Sequence, residues 1–448
     1  MKLVRCLLAL SVIIGLCATG VVLADEQDSS HFDAELNERD FDALREFLKA
    51  RKAVDVAENT SNLVISGDVR AEWRHLDETC RGQRLRGHGC VGTSGKPISR
   101  NDFDVELNLY FIYTCDRTWA LAQVRYDNSA GVDDNGHPCG PVGSKKKKGE
   151  CCVDTARRCV GDPEGYHGSG NCGDLCLKKA YMGYNLYTDG VARIDVELGR
   201  RGNLYNVFES NIQFLSRFDG LLLKYDSSWE CVADWYIHAA GFVVDEKVNH
   251  FAWITEVGFL NIADTDIDFK YSFIDWEKHG INRCFARNPA GFRFLNSQFT
   301  LAYNINPDVI GVPVKVYGAF LVNHAAHKLH LKHVHSRQNL GWYCGVLFGK
   351  VIKENDWALE IQYQVVQAQA VPDGDVGGIG RGNVLDESFT TCSRRGNTNY
   401  QGWKVEGLYA ITDNLTVDSI VEWSKAYDTH IGGTHTYSKF ELETIYAF

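Results

Sequence analysis

The ten residues Lys439–Phe448, KFELETIYAF, decide how this chain is read. Phe440, Leu442, Thr444, Tyr446 and Phe448 share one face of an extended strand, and Lys439, Glu441 and Glu443 share the other. Period-two alternation marks a strand with one apolar side and one wet side. In an open sheet such a strand would leave an unpaired edge, and closing the sheet into a barrel removes that edge. Strands of about ten residues, apolar outside and polar inside, are the signature of a transmembrane barrel. A final strand ending in Phe, with aromatics at alternate positions before it, resembles the assembly signal of bacterial outer-membrane proteins.

The same alternation runs back through the chain. It appears in LVISGDVRAEWRHL from Leu63, in Phe103–Phe111, in Ala120–Tyr126, in Ala180–Leu186 and in Ala192–Leu198. It returns in Ile267–Phe273 and Trp357–Val365. Short links follow Thr114, Tyr187, Asp226, Asn261, Asn306, Lys350 and Ile411. Longer ones mostly lie between them, at 77–101, 128–176, 202–217, 277–294, 324–338 and 369–399, with shorter exceptions at 244–247 and 427–435. Short periplasmic turns alternating with long outer loops are the rule for membrane barrels, and a soluble sandwich has no reason to sort its connections this way. The expectation is an all-β, transmembrane antiparallel barrel of about sixteen strands over residues 61–448, with both termini on the periplasmic side.

Composition agrees. Hydrophobic residues make up 44% of the 448 and aromatics 12%, and Pro occurs 8 times. Only alternate barrel residues meet lipid, so overall hydropathy stays ordinary. A net charge of −11 argues against nucleic-acid binding. Residues 1–24 read as a signal peptide: Lys2 and Arg5, then LLALSVIIGL, then a small-residue cleavage site at Val22-Leu23-Ala24. Leu16 stands before Cys17 where lipidation requires a small residue. No other stretch approaches a helical membrane span. Residues 25–60 read as a short periplasmic segment, with Phe41, Leu44, Phe47 and Leu48 forming an amphipathic helical stripe within 33–53.

At this point the chain resembles a bacterial general porin, and especially the cysteine-rich porins of chlamydia-like bacteria. The stretch GRRGNLYNVFESNIQFLSRFDGLLLKY from Gly199 carries much of the likeness. In porins a strand ending near Gly-Arg leads into a third outer loop that folds into the lumen, and a Phe-Asp-Gly strand start follows. Gly199-Arg200 and Phe218-Asp219-Gly220 occupy those places. The resemblance implies a water-filled pore for passive diffusion of ions and small hydrophilic solutes, and it implies trimers.

Charged side chains at such a narrowing set ion preference. The loop candidates are Arg200, Arg201, Glu209 and Arg217. The wall candidates are Arg125, Arg193, Lys179, Asp195, Glu197, Asp104 and Glu106. Each could equally be an ordinary wet lumen residue. Inward acids outnumber inward bases, which favours cations, while the three loop arginines oppose this at the narrow point.

Of fifteen cysteines, Cys6 and Cys17 lie in the signal segment, leaving thirteen. In an exported chain these read first as disulfides, and the odd number requires one free or intermolecular thiol. Cys80 and Cys90 form a candidate pair. Cys139, Cys151, Cys152, Cys159, Cys172 and Cys176 crowd one outer loop, where zinc is the lesser alternative. Cys115 falls in a periplasmic turn, too far from the outer loops to join them. It is expected to be free or to bridge to another envelope protein.

The Lys145–Lys148 run is a solvated loop tip or a contact for lipid phosphates or host glycans. His324, His327, His330, His333 and His335 share one outer loop, either as weak metal candidates or as an incidental polar loop. No cofactor is called for. The alternative function is a cysteine-cross-linked structural envelope protein or surface adhesin. The absence of a Ser-centred elbow or HExxH argues against a barrel enzyme.

Overall fold

A computed structural model describes residues 54–55, 62–80, 83–85, 101–127, 174–201, 208–213, 219–230, 232–245, 250–276, 293–328, 334, 336–372, 379, 383–384, 395–396 and 398–448. The expected signal peptide and the helical stripe within 33–53 lie outside these residues.

Sixteen long strands form one antiparallel sheet that closes on itself. They are β1 Leu63–Cys80, β2 Asn101–Cys115, β3 Thr118–Asp127, β4 Asp174–Thr188, β5 Ala192–Arg200, β6 Asp219–Trp229, β7 Ala233–Asp245 and β8 His250–Leu260. The second half contains β9 Ile267–Trp276, β10 Phe294–Ile305, β11 Val314–Asn323, β12 Leu340–Gly349, β13 Trp357–Val366, β14 Tyr400–Ala410, β15 Leu415–Ala426 and β16 His435–Ala447. Each strand pairs with its sequence neighbours. β16 then pairs with β1 from Asp68↔Ala447 to Cys80↔His435. At the seam the Gly67 amide donates to the Phe448 carbonyl and the Phe448 amide donates back, both at 2.9 Å. The short strand Val54–Asp55 pairs with Ile65 and Val64 below that point. It covers the stretch of β1 that β16 does not reach.

Parity sorts the two faces as alternation requires. On β16, Leu442 is 40% exposed on the outer surface, and Glu443 beside it is 4% exposed inside. Trp73, Met182, Leu221, Trp253, Leu301, Phe320 and Trp403 continue the outer apolar band. No helix among the described residues is long and apolar enough to cross a membrane.

The seven short links lie at one end of the barrel. The second of them shows how such a turn is built. Asp189 accepts from the amides of Ala192 at 2.7 Å and Val191 at 2.9 Å, and from the Tyr187 hydroxyl. These donors hold its carboxyl below the usual carboxylate range. Gly190 follows at φ +90°, a conformation that L side chains rarely adopt.

Two thiols differ from expectation. Cys176 was placed in an outer loop, but β4 begins at Asp174, so Cys176 is a wall residue paired with Arg125 in register. It is a free cysteine in the structure. Cys80 likewise ends β1 instead of lying within the loop. The other candidates, Cys90, Cys139, Cys151, Cys152, Cys159 and Cys172, lie outside the described residues. Cys115 ends β2 beside the first short turn and is a free cysteine. A membrane-impermeant maleimide added to intact cells is expected to miss Cys115, and also single cysteines placed at Asp189 or Asp413. It should reach one placed at Lys328. Labelling of the turn positions from outside would invert this topology.

Candidate functional site

The lumen-facing residues of β16, β1, β2 and β3 make a dense charged wall. Arg70 pairs with Asp68 at 2.7 Å and Glu443 at 3.2 Å, with Glu106 at 3.9 Å. Arg74 bridges Glu72 at 2.6 Å and Asp104. Arg125 binds Glu106. Lys178 faces Arg125 and Glu106 from β4. A groove is lined by Arg70, Glu72, Arg74, Asp104, Glu106, Arg125 and Glu443. The ladder continues through Lys439, which lies 2.9 Å from Glu441 and 3.5 Å from Glu422, to Lys404 and Glu406 at 2.7 Å. Alternating signs on neighbouring strands satisfy one another across the wall. Their individual stabilising effect is small where water reaches them.

The β5–β6 loop enters this lumen. At its root Arg201 binds Glu197, with its guanidinium 4.2 Å above the Tyr181 ring. Phe208 is fully buried against Leu222, Phe242, Ile254 and Ile274 on the inner faces of β6–β9. The Glu209 amide donates to Glu256 at 2.8 Å, and the Glu209 carboxylate receives Lys270. Gln298 donates to the Glu209 carbonyl, and Asn296 donates to Gln213 at 2.9 Å. Further on, Gln364 of β13 donates to the Asn211 carbonyl at 3.2 Å.

Ile212 buries against Leu321, Tyr343, Tyr400, Val371 and Ile379. A Cβ on Gly341 would sit 2.9 Å from the Ile212 Cδ1, so the glycine leaves room for that side chain. Ile379, from the β13–β14 loop, donates its amide to Gln364 and accepts from the Ser424 hydroxyl at 3.1 Å. Two loops therefore meet inside the barrel over β6–β15.

The candidates chosen from sequence divide on this geometry. Asp104, Glu106 and Arg125 join the charged wall. Lys179 pairs in register with Gln123, next to a bulge that turns Lys178 inward as well. Asp195 and Glu197 are buried on the inner face of β5. Arg193 lies 2.8 Å from Asp195 and over Trp119, with its centre 5.9 Å from the ring. Arg201 and Glu209 belong to the loop. Arg200 does not face the pore: it follows Ile194, Val196 and Leu198 on the outer face of β5. There it forms a two-bond fork with Asp219, at 2.7 and 2.6 Å. Arg217 lies outside the described residues.

His324 and His327 lie at the outer rim, and His330, His333 and His335 lie outside the described residues. Among the described residues no group of three or more His, Cys, Asp or Glu is placed to hold a metal.

Among solved structures the chain is similar to Pseudomonas putida OprB at high pH, with 8% identity over 86% of this chain and 94% of that one, TM-score 0.49. It is also similar to a triple mutant of Rhodopseudomonas blastica porin, with 9% identity over 86% of this chain and all of that one, TM-score 0.41. No family model matches, and no curated protein matches. At these identities and TM-scores the likeness carries no property of those proteins over to this chain.

Sequence reasoning left out Arg70, Glu72, Arg74, Glu443, Lys439 and Lys178 as pore candidates. The signal was present. VRAEWRHL alternates as strictly as the last strand, and barrel closure makes the first and last strands neighbours. Glu256 and Lys270, which anchor the loop, were also missed. Nothing local in sequence pairs them with Glu209.

Proposed function

We propose that the chain is an outer-membrane porin through which ions and small hydrophilic solutes diffuse passively. The supporting observation is the loop at Phe208–Gln213, held against one side of a lumen whose opposite arc is lined by charge. The path runs past that loop along β16, β1, β2 and β3. Export with loss of residues 1–24, and a periplasmic place for residues 25–60, belong to the same proposal.

The lumen charge favours cations. Asp68, Glu72, Asp104, Glu106, Glu406, Asp418, Glu422, Glu441 and Glu443 line β14–β2 on the inner face. They outnumber Arg70, Arg74, Lys404 and Lys439 together with Arg125, Lys178 and Lys179 on β3 and β4. Of the three loop arginines that oppose them, Arg200 points away and Arg201 is engaged by Glu197, while Arg217 lies outside the described residues. Fixed charge of one sign in a narrow aqueous path enriches the opposite ion. In a planar bilayer under a KCl gradient, the zero-current potential should carry the sign of potassium preference. An anion-selective potential would overturn the charge reading, and absence of any conductance would overturn the pore.

A second reading, cross-linking to other envelope proteins, is favoured by Cys115 alone. It sits at the periplasmic end, across a band about 25 Å tall from the outer-loop cysteines. Non-reducing peptide mapping should find Cys115 free or joined to another protein. A bond to Cys139, Cys151, Cys152, Cys159 or Cys172 of the same chain would contradict the topology.

A further inference from the structure

We propose that the outer rim above β10 and β11 is a docking site for the anionic phosphate headgroup of an outer-leaflet lipid, formed by Arg293, His324 and Lys328. This rests on the reading of the chain as a membrane barrel. It is independent of what passes through the pore.

The first observation is charge. From Val309 to Lys353 the chain has no Asp or Glu, and within 324–337 it has five His, two Lys and one Arg. Arg293, His324, His327, Lys328 and Arg337 are all exposed.

The second is that this surface is built. Asn323 and Gln369 are both fully buried. Asn323 donates to the carbonyls of Arg293 at 2.9 Å and Gln369 at 2.8 Å. Gln369 donates to the carbonyls of His327 at 2.9 Å and Arg337 at 2.7 Å, and accepts from the His327 amide. One buried amide pair thus fixes the backbone of Arg293, and that of His327 and Arg337 in the β11–β12 link, which also carries His324 and Lys328. Buried amides satisfied on both ends hold a unique geometry.

The third is which side the rim faces. His324 continues the outward parity of Val316, Phe320 and Val322 on β11. Its Nε2 lies 2.9 Å from the Ser297 hydroxyl, and that hydroxyl lies 3.1 Å from the Tyr271 hydroxyl. Tyr271 stacks on Phe299 at 5.0 Å, within the outer apolar band. The imidazole therefore sits directly above lipid-facing aromatics, at the level of headgroups and away from the lumen. Asp275 shares this face, one strand over, and Asp428 lies 3.4 Å from Gln338 at the far side. Among the described residues no salt bridge joins either of them to Arg293 or Lys328, and Asp428 pairs with His430 instead. Basic side chains at a membrane surface recruit anionic lipid, and a phosphate suits their donors.

The test uses the full-length refolded chain in phosphatidylcholine vesicles with spin-labelled phosphatidic acid or spin-labelled phosphatidylcholine as probe. The protein-restricted fraction should favour phosphatidic acid by roughly five-fold. R293Q/K328Q should lose most of that preference, and H324N should lose part of it. Both variants should keep the heat-dependent gel shift of a folded barrel, because the altered side chains are exposed. Equal preference in the wild type and in R293Q/K328Q would overturn the proposal. So would loss of preference on adding inorganic phosphate, which would assign the site to a free anion. A chain that fails to insert would overturn the membrane-barrel reading itself, and this proposal with it.

Discussion

Gly67→Leu is expected to remove most assembled barrel, with export unchanged. A Cβ at Gly67 would lie 2.7 Å from the Phe448 ring and 2.8 Å from the Asn108 carbonyl oxygen. The first contact is with a side chain that could move. The second is with backbone of β2 that is already paired. Relief therefore requires separating β1 from β2 or from β16. Either separation opens an edge along a seam that runs from Gly67 to Cys80. Unpaired backbone in lipid costs several kcal/mol per group, so an opened barrel is not a usable state. Phe448→Asp should act in the same direction but more weakly. It puts a second charge where an aromatic ring covers Gly67, and charge on the lipid face near an interface costs about 1 kcal/mol or less. Val69→Leu, on the same outer face and 41% exposed, should assemble normally. The readout is the heat-modifiable band on gels of outer-membrane fractions. Normal assembly of Gly67→Leu would show that the β16–β1 seam is not closed as described.

Glu256→Ala is expected to enlarge the single-channel conductance and make it noisier. The Glu256 side chain is 1% exposed and accepts from the Glu209 amide at 2.8 Å, the Tyr236 hydroxyl at 2.8 Å and the Ser272 hydroxyl at 2.7 Å. Its removal strands three donors, and each buried unsatisfied group costs about 1–3 kcal/mol. The two wall donors can turn to water in the lumen. The loop amide loses the anchor that holds Glu209 beside Lys270. Conductance should rise by roughly two-fold as the loop swings from its seat. Glu256→Gln keeps the shape and an acceptor oxygen, so it should fall between the two. A Glu256→Ala channel identical to wild type would mean that this loop does not set the narrowing.

Much of the fold was legible because the barrel repeats one simple rule. Ile267–Phe273 and Trp357–Val365 alternate without interruption, and their strands appear where that alternation lies. Parity also carries the orientation of Arg200, since it follows Ile194, Val196 and Leu198. Grouping it with Arg201 as a loop residue lost that information. The bulge at Lys178 shows the limit of the rule. Leu175 and Leu177 face out on odd numbers, while Ala180 and Met182 face out on even ones. The slip between them is visible in sequence, but its position becomes definite only with the partner strand. The landing of Glu209 on Glu256 and Lys270 was not legible at all. It depends on where a loop folds in space, and no periodicity encodes that. The same holds for Asn323 and Gln369, two ordinary amides until the segments they join are brought together.

An open aqueous path beside the inward loop must carry current. Single-channel recording of the refolded full-length chain in a planar bilayer tests it directly. Discrete, reproducible conductance steps that scale with salt concentration and carry mostly cations are expected. Protein that inserts, shows the gel shift of a folded barrel and yet passes no current would contradict it.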